Sequence, residues 1–195
     1  MIKIVNGQRA PWRDARNWAE RALARARTPQ SRQGLLAIYL NDHLAGATGG
    51  VELARRAAAW YPVPGQQATL GRLAADIAQD RMALLDLMAA LGVPVRRYKV
   101  GVAWAAEKAG RLKLNGSLLT RSPLSNLEEL EMLRLGVEGK AAGWRTLREL
   151  AKADGRLRPG TLDELITRAR EQASLLEELR VQAAAQLIGT STAIS

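Results

Sequence analysis

Apolar residues recur at three- and four-residue spacings along most of this chain, the period of helices that bury one face. Leu36, Leu40, Leu44, Ala47, Val51, Ala54 and Ala58 predict a helix that follows Ser31 and ends before Tyr61-Pro62. Leu70, Leu73, Ile77, Leu84, Met88 and Leu91 predict a second, from about Gln67 to Leu91, stopped by Gly92-Val93-Pro94. Leu130, Leu133, Val137, Ala141 and Trp144 predict a third, capped by Ser125 or Asn126 and ending near Asp154-Gly155. Leu162, Leu165, Ile166, Ala169, Ala173, Leu176, Ala183 and Leu187 predict a fourth, to about Ile188-Gly189. Thr161 with Glu164 three residues on reads as its capping box. Gly46, Gly49 and Gly50 interrupt the first stripe, each at a cost of up to about 1 kcal/mol against alanine. Their clustering points to a bend or to the close approach of another backbone.

The connections fix how these helices associate. Pro62-Val63-Pro64-Gly65 is short enough to make its two helices antiparallel neighbours. Residues 94–125 are too long for a turn and form a crossover. The prediction is an all-α, antiparallel four-helix bundle over residues 31–188, with that crossover between the second and third helices and each helix roughly 35–40 Å long. Pro11 suits the first turn of a further, weakly amphipathic helix that Thr28-Pro29 stops, so residues 1–30 read as a basic, partly helical arm. Residues 189–195 read as a flexible tail.

Composition narrows the chemistry. The chain has 195 residues, 47% of them hydrophobic but only 4% aromatic, with no Phe. Cys is absent, which excludes disulfides and thiolate metal ligands. No apolar run is long enough to span a membrane and no signal-peptide core precedes the helices, so a cytoplasmic location is expected. The formal charge of +10 is uneven: residues 1–34 carry eight Lys/Arg against two acids, and residues 94–125 seven against one. The remaining segments are nearly neutral.

Taken with this layout, Leu36-Ala37-Ile38-Tyr39-Leu40-Asn41-Asp42-His43-Leu44-Ala45 and Leu73-Ala74-Ala75-Asp76-Ile77-Ala78-Gln79-Asp80-Arg81 resemble the ferritin-like superfamily. The resemblance covers residues 31–188 and implies the crossover bundle. Metal-binding members carry a glutamate on the first and third helices and a Glu-x-x-His pair on the second and fourth. Here the second-helix motif falls on Asp80 to Ala83 and the fourth on Glu171 to Ser174, both without histidine. Glu131 or Glu138 stands for the third-helix ligand, and the first-helix position falls near Asp42 or His43. The resemblance therefore implies a member with degenerate di-iron motifs. His43, Asp80, Glu131 and Glu138 are the candidate ligands if iron or manganese binds.

Helical phase puts His43, the chain's one histidine, on an inward face with Asp80 and Arg180, and Gln172 on the flank of the fourth helix's stripe, so that the four form a candidate buried polar network. A buried carboxylate needs a partner, and Asp80 is expected to find it in Arg180 or His43. Glu131, Arg134, Glu138, Arg145 and Glu149 share one face of the third helix and read as a solvated charge ladder, with Arg134–Glu138 and Arg145–Glu149 as pairs. No Gly-x-Ser-x-Gly, Gly-x-Gly-x-x-Gly or Walker sequence is present. The residues favour a non-catalytic bundle without a cofactor, acting through self-association or a protein partner. A degenerate metal-binding protein or oxidoreductase is the first alternative. The second is nucleic-acid binding through the arm and through Arg96, Arg97, Lys99, Lys108, Arg111 and Lys113, interleaved with Tyr98 and Trp104. The same cations suit peripheral contact with an anionic membrane.

Overall fold

The computed structural model describes residues 31–96 and 123–191, with side chains over 31–96 and 124–187. The arm, the tail from 192, and Arg97, Lys99, Lys108, Arg111 and Lys113 lie outside the described residues. The chain divides into two units, Met1–Leu35 and Leu36–Ser195. In the first, Ser31 Oγ accepts the Gly34 N–H at 3.1 Å, the side-chain cap that starts a helix.

The described residues form four helices and no strand: α1 (Arg32–Trp60), α2 (Pro64–Ala90), α3 (Pro123–Leu150) and α4 (Pro159–Ser191). Prolines set three of the starts. α2 begins at Pro64 rather than Gln67, α3 at Pro123 rather than after Ser125 or Asn126, and α4 at Pro159 rather than at Thr161. Proline lacks the N–H that a first turn leaves unpaired, and its φ is already helical. Thr161 is thus inside α4, and the capping box assigned to it is corrected. α3 also stops at Leu150, before Asp154-Gly155, and residues 151–153 continue as turns.

Contacts between helices give their order. Arg81 Nε donates to Thr48 Oγ1 at 3.0 Å and Gln67 Nε2 to the Ala59 carbonyl at 3.2 Å, so α2 runs antiparallel to α1. Arg148–Asp163 at 2.9 Å and Arg134–Glu177 at 3.1 Å align α4 antiparallel to α3. Tyr39–Thr146 and Arg56–Glu129, both at 3.1 Å, make α1 and α3 antiparallel. Gln66–Gln182 and Gln172–Asp80 do the same for α2 and α4. The four helices therefore run up, down, down and up. α2 ends and α3 begins at opposite ends of the bundle, so the connection between them is a crossover.

The core is one cluster of leucine and alanine with few larger side chains, including Leu40, Leu73, Leu84, Leu130, Leu147, Leu162 and Leu176. Trp144 and Met88 add the bulk that alanine lacks. Gly92, at φ 66°, ends α2 in a Schellman motif. Its N–H donates to the Ala89 carbonyl at 3.0 Å, and the Val93 N–H to the Met88 carbonyl at 2.9 Å. Val93 and Met88 are both buried.

Candidate functional site

The polar centre of the bundle is Asp80, which is 1% exposed. Its place on α2, between Ile77 and Leu84 on the buried face, carries the carboxylate into the interior. Lys140 of α3 reaches it, with Nζ 2.5 Å from Asp80 Oδ2. The same ammonium donates to Gln172 Oε1 of α4 at 2.5 Å, and Gln172 Nε2 donates to Asp80 Oδ2 at 3.0 Å. Arg168, one turn before Gln172, places Nη2 against Asp80 Oδ1. Three helices thus converge on one carboxylate.

Electrostatics accounts for this composition. An isolated carboxylate in such an interior costs several kcal/mol, and Asp80 is held by an ammonium, a guanidinium and an amide. Burial pulls the Lys140 ammonium below the ordinary lysine range, while the charge and hydrogen bond of Asp80, and more weakly Asp76, act the other way. Arg168 opposes as a like charge. Arg168 is over a third exposed, so one of the two cations keeps contact with water.

Asp80 and Gln172 are brought together as their helical phase suggested. Arg180 and His43 lie elsewhere, and the pairs Asp80–Arg180 and Asp80–His43 are corrected. Arg180 turns back to Glu177 at 2.7 Å and faces Glu131 at 3.8 Å. Its hydrogen bond to Glu177 holds that carboxyl below the usual carboxylate range. Glu131 and Glu138 are exposed. His43, Asp80, Glu131 and Glu138 do not gather, and among the described residues no three His, Cys, Asp or Glu side chains are grouped to hold a metal ion. The charge ladder on α3 is also redistributed, because Arg134 and Glu131 pair across to α4.

His43 belongs to the contact between α1 and α3. Its ring lies over Gly143, where an added Cβ would meet Cε1 at 3.1 Å and Nδ1 at 3.2 Å. Tyr39 packs edge-on against it, ring centres 4.5 Å apart. Tyr39 also donates its hydroxyl hydrogen bond to Thr146 Oγ1. Burial lowers the pKa of His43, and the nearby charge of Asp42 partly offsets this. The histidine is half-buried packing, fitted to a glycine on the facing helix.

A second polar joint holds the start of the crossover. Asn41, buried on α1, donates through Nδ2 to the Ala37 carbonyl at 2.7 Å and to the Pro94 carbonyl at 3.1 Å. Its Oδ1 accepts the Arg96 N–H at 2.6 Å. Arg156, in the α3–α4 connection, donates to the Leu91 carbonyl at 3.0 Å and is gripped by Asp154, whose carboxyl it lowers to about 2. Sequence reasoning passed over Asn41, Lys140, Arg168 and Arg156. Asparagine at an inward helical position was the available signal for the first. Lys140, next to Ala141 in the stripe, was the signal for the second.

Of the predicted basic surface only Arg96 is described, and it is exposed. No described helix is long and apolar enough to cross a membrane. Comparison with protein-family models, curated proteins and solved structures finds no match to this chain.

Proposed function

We propose that this chain is a non-catalytic helical bundle that works by binding a protein partner or a second copy of itself. Closure of Asp80 by Lys140 and Arg168 carries this reading. A carboxylate that served a metal would face the ion, whereas the oxygens of Asp80 face an ammonium and a guanidinium. With that interior charge satisfied by the chain itself, recognition falls to the outer surface. Trp60, 67% exposed at the α1–α2 turn, is the largest apolar side chain presented there by the described residues. Aromatic anchors of this kind are enriched at interface centres. The up-down-down-up order with one crossover supports grouping the bundle with ferritin-like proteins whose di-iron motifs are degenerate.

Size-exclusion chromatography with light scattering on the full chain tests the proposal. The expected result is a mass above the monomer that rises with concentration and falls in Trp60→Ala. A strict monomer removes self-association and leaves only the partner form. The nucleic-acid alternative draws on the cations between residues 94 and 125. Binding to random-sequence DNA that weakens steeply with salt, and is lost when Arg96, Arg97 and Lys99 are replaced, would favour it instead.

A further inference from the structure

The polar centre holds an amine, a carboxylate and a carboxamide, each within hydrogen-bond reach of the other two. Lys140 Nζ lies 2.5 Å from Asp80 Oδ2 and 2.5 Å from Gln172 Oε1. Gln172 Nε2 donates to the same Asp80 oxygen at 3.0 Å. A buried ion pair needs only the ammonium and the carboxylate. Here an amide carbonyl stands against the ammonium as well, and one carboxylate oxygen touches both nitrogens. A carbonyl bond is about 1.2 Å long, so Nζ is at most about 3.7 Å from the amide carbon of Gln172. That is close to the separation of reacting atoms in a near-attack pair.

The surroundings suit acyl transfer from that carbon. Asp80 is 1% exposed and Gln172 4%, so little water competes for the amide. Burial lowers the pKa of Lys140, which favours the free amine that attacks a carbonyl. Arg168 holds Asp80 Oδ1 and leaves Oδ2 to the two nitrogens. Asp80 meets two cations, and Asp76 offsets the surplus only weakly. Loss of the lysine charge would leave one carboxylate against one guanidinium.

We propose that Lys140 and Gln172 close an isopeptide bond between α3 and α4 after folding, with Asp80 carrying the proton. Nζ bonds to Cδ of Gln172, the Cδ–Nε2 bond breaks, and Nε2 leaves as ammonia. The ammonium of Lys140 gives up two protons. Asp80 Oδ2 passes one to Nε2, and the other departs with the ammonia as ammonium ion. No oxidant, cofactor or second protein is consumed. The described side chains are the unlinked precursor, and the bond does not rest on the proposed function.

Intact mass spectrometry of the full chain, followed from fresh purification through days of warming at neutral pH, tests it. The expected product is lighter by one ammonia, about 17 Da. Trypsin then releases a branched peptide that joins Leu135–Arg145 to Glu171–Arg180, uncut after Lys140. Lys140→Arg and Gln172→Glu abolish that peptide, and Asp80→Asn slows its formation about a hundredfold or more. A wild-type chain that keeps its full mass overturns the proposal, whether or not the variants fold. A loss confined to Asn6-Gly7 or Asn115-Gly116, where ammonia departs on imide formation, overturns it too. So does a loss of water, about 18 Da, with the branch between Lys140 and Asp80, which would make the carboxylate the acyl donor. An unchanged rate in Asp80→Asn contradicts the proton-carrying role of that residue.

Discussion

The side chain that draws the eye in the sequence, His43, acts through shape. Its ring occupies the space that Gly143 provides, and Tyr39 holds it edge-on. Two predictions follow from that fit. Gly143→Ala alone gains helix propensity but crowds the ring. In a His43→Ala background the same change is expected to stabilise by about 1 kcal/mol, and a double-mutant cycle in urea should show the two sites coupled. The second concerns pH. The folded pKa of His43 lies below its ordinary value, so the unfolded chain binds the proton more tightly. Its contribution to stability is present above about pH 6.5 and is lost as pH falls through the folded pKa. Unfolding midpoints at pH 7.5 and 5 should therefore differ, and His43→Ala should reduce the difference.

Asp80 acts through charge. Asp80→Ala leaves Lys140 buried without its counter-charge and is expected to cost about 3–5 kcal/mol in urea unfolding. Lys140→Met should cost less, because Arg168 still neutralises Asp80. Equal losses would mean that Arg168 contributes nothing to the cluster.

Among the elements, the apolar stripes were legible because a 3.6-residue period survives any tertiary detail, and the buried rows of α2, α3 and α4 follow it closely. Helix starts were less so. Pro64, Pro123 and Pro159 read equally well as loop residues and as first-turn residues, and tertiary packing decides between them. The polar centre was half legible. Asp80 points inward by phase and Gln172 flanks the stripe of α4, whereas Lys140 and Arg168 reach Asp80 through the length of their side chains. Arg180 shows the converse. Its Cα direction is inward, yet its guanidinium swings to Glu177 and Glu131 at the α3–α4 edge. Glycine meaning also depends on the element. Gly92→Ala, at φ 66°, should destabilise by about 1–2 kcal/mol. Gly71→Ala, inside α2 and open to solvent, should stabilise by up to about 1 kcal/mol. Thermal unfolding of the two variants checks both signs.

At the scale of the whole molecule, two antiparallel hairpins are joined by a crossover and share a charge cluster that neither could close alone. α2 provides the carboxylate, and α3 and α4 provide the cations and the amide. The cluster therefore links the two hairpins as well as neutralising the core. A lysine ammonium and an arginine guanidinium stand against Asp80, so the polar centre of the bundle is occupied by the chain's own cations. Titration of the full chain with ferrous or manganous ion by calorimetry is the decisive measurement. No stoichiometric heat is expected for the wild type and none for Asp80→Asn. One equivalent bound tightly by the wild type, and lost in Asp80→Asn, would contradict it.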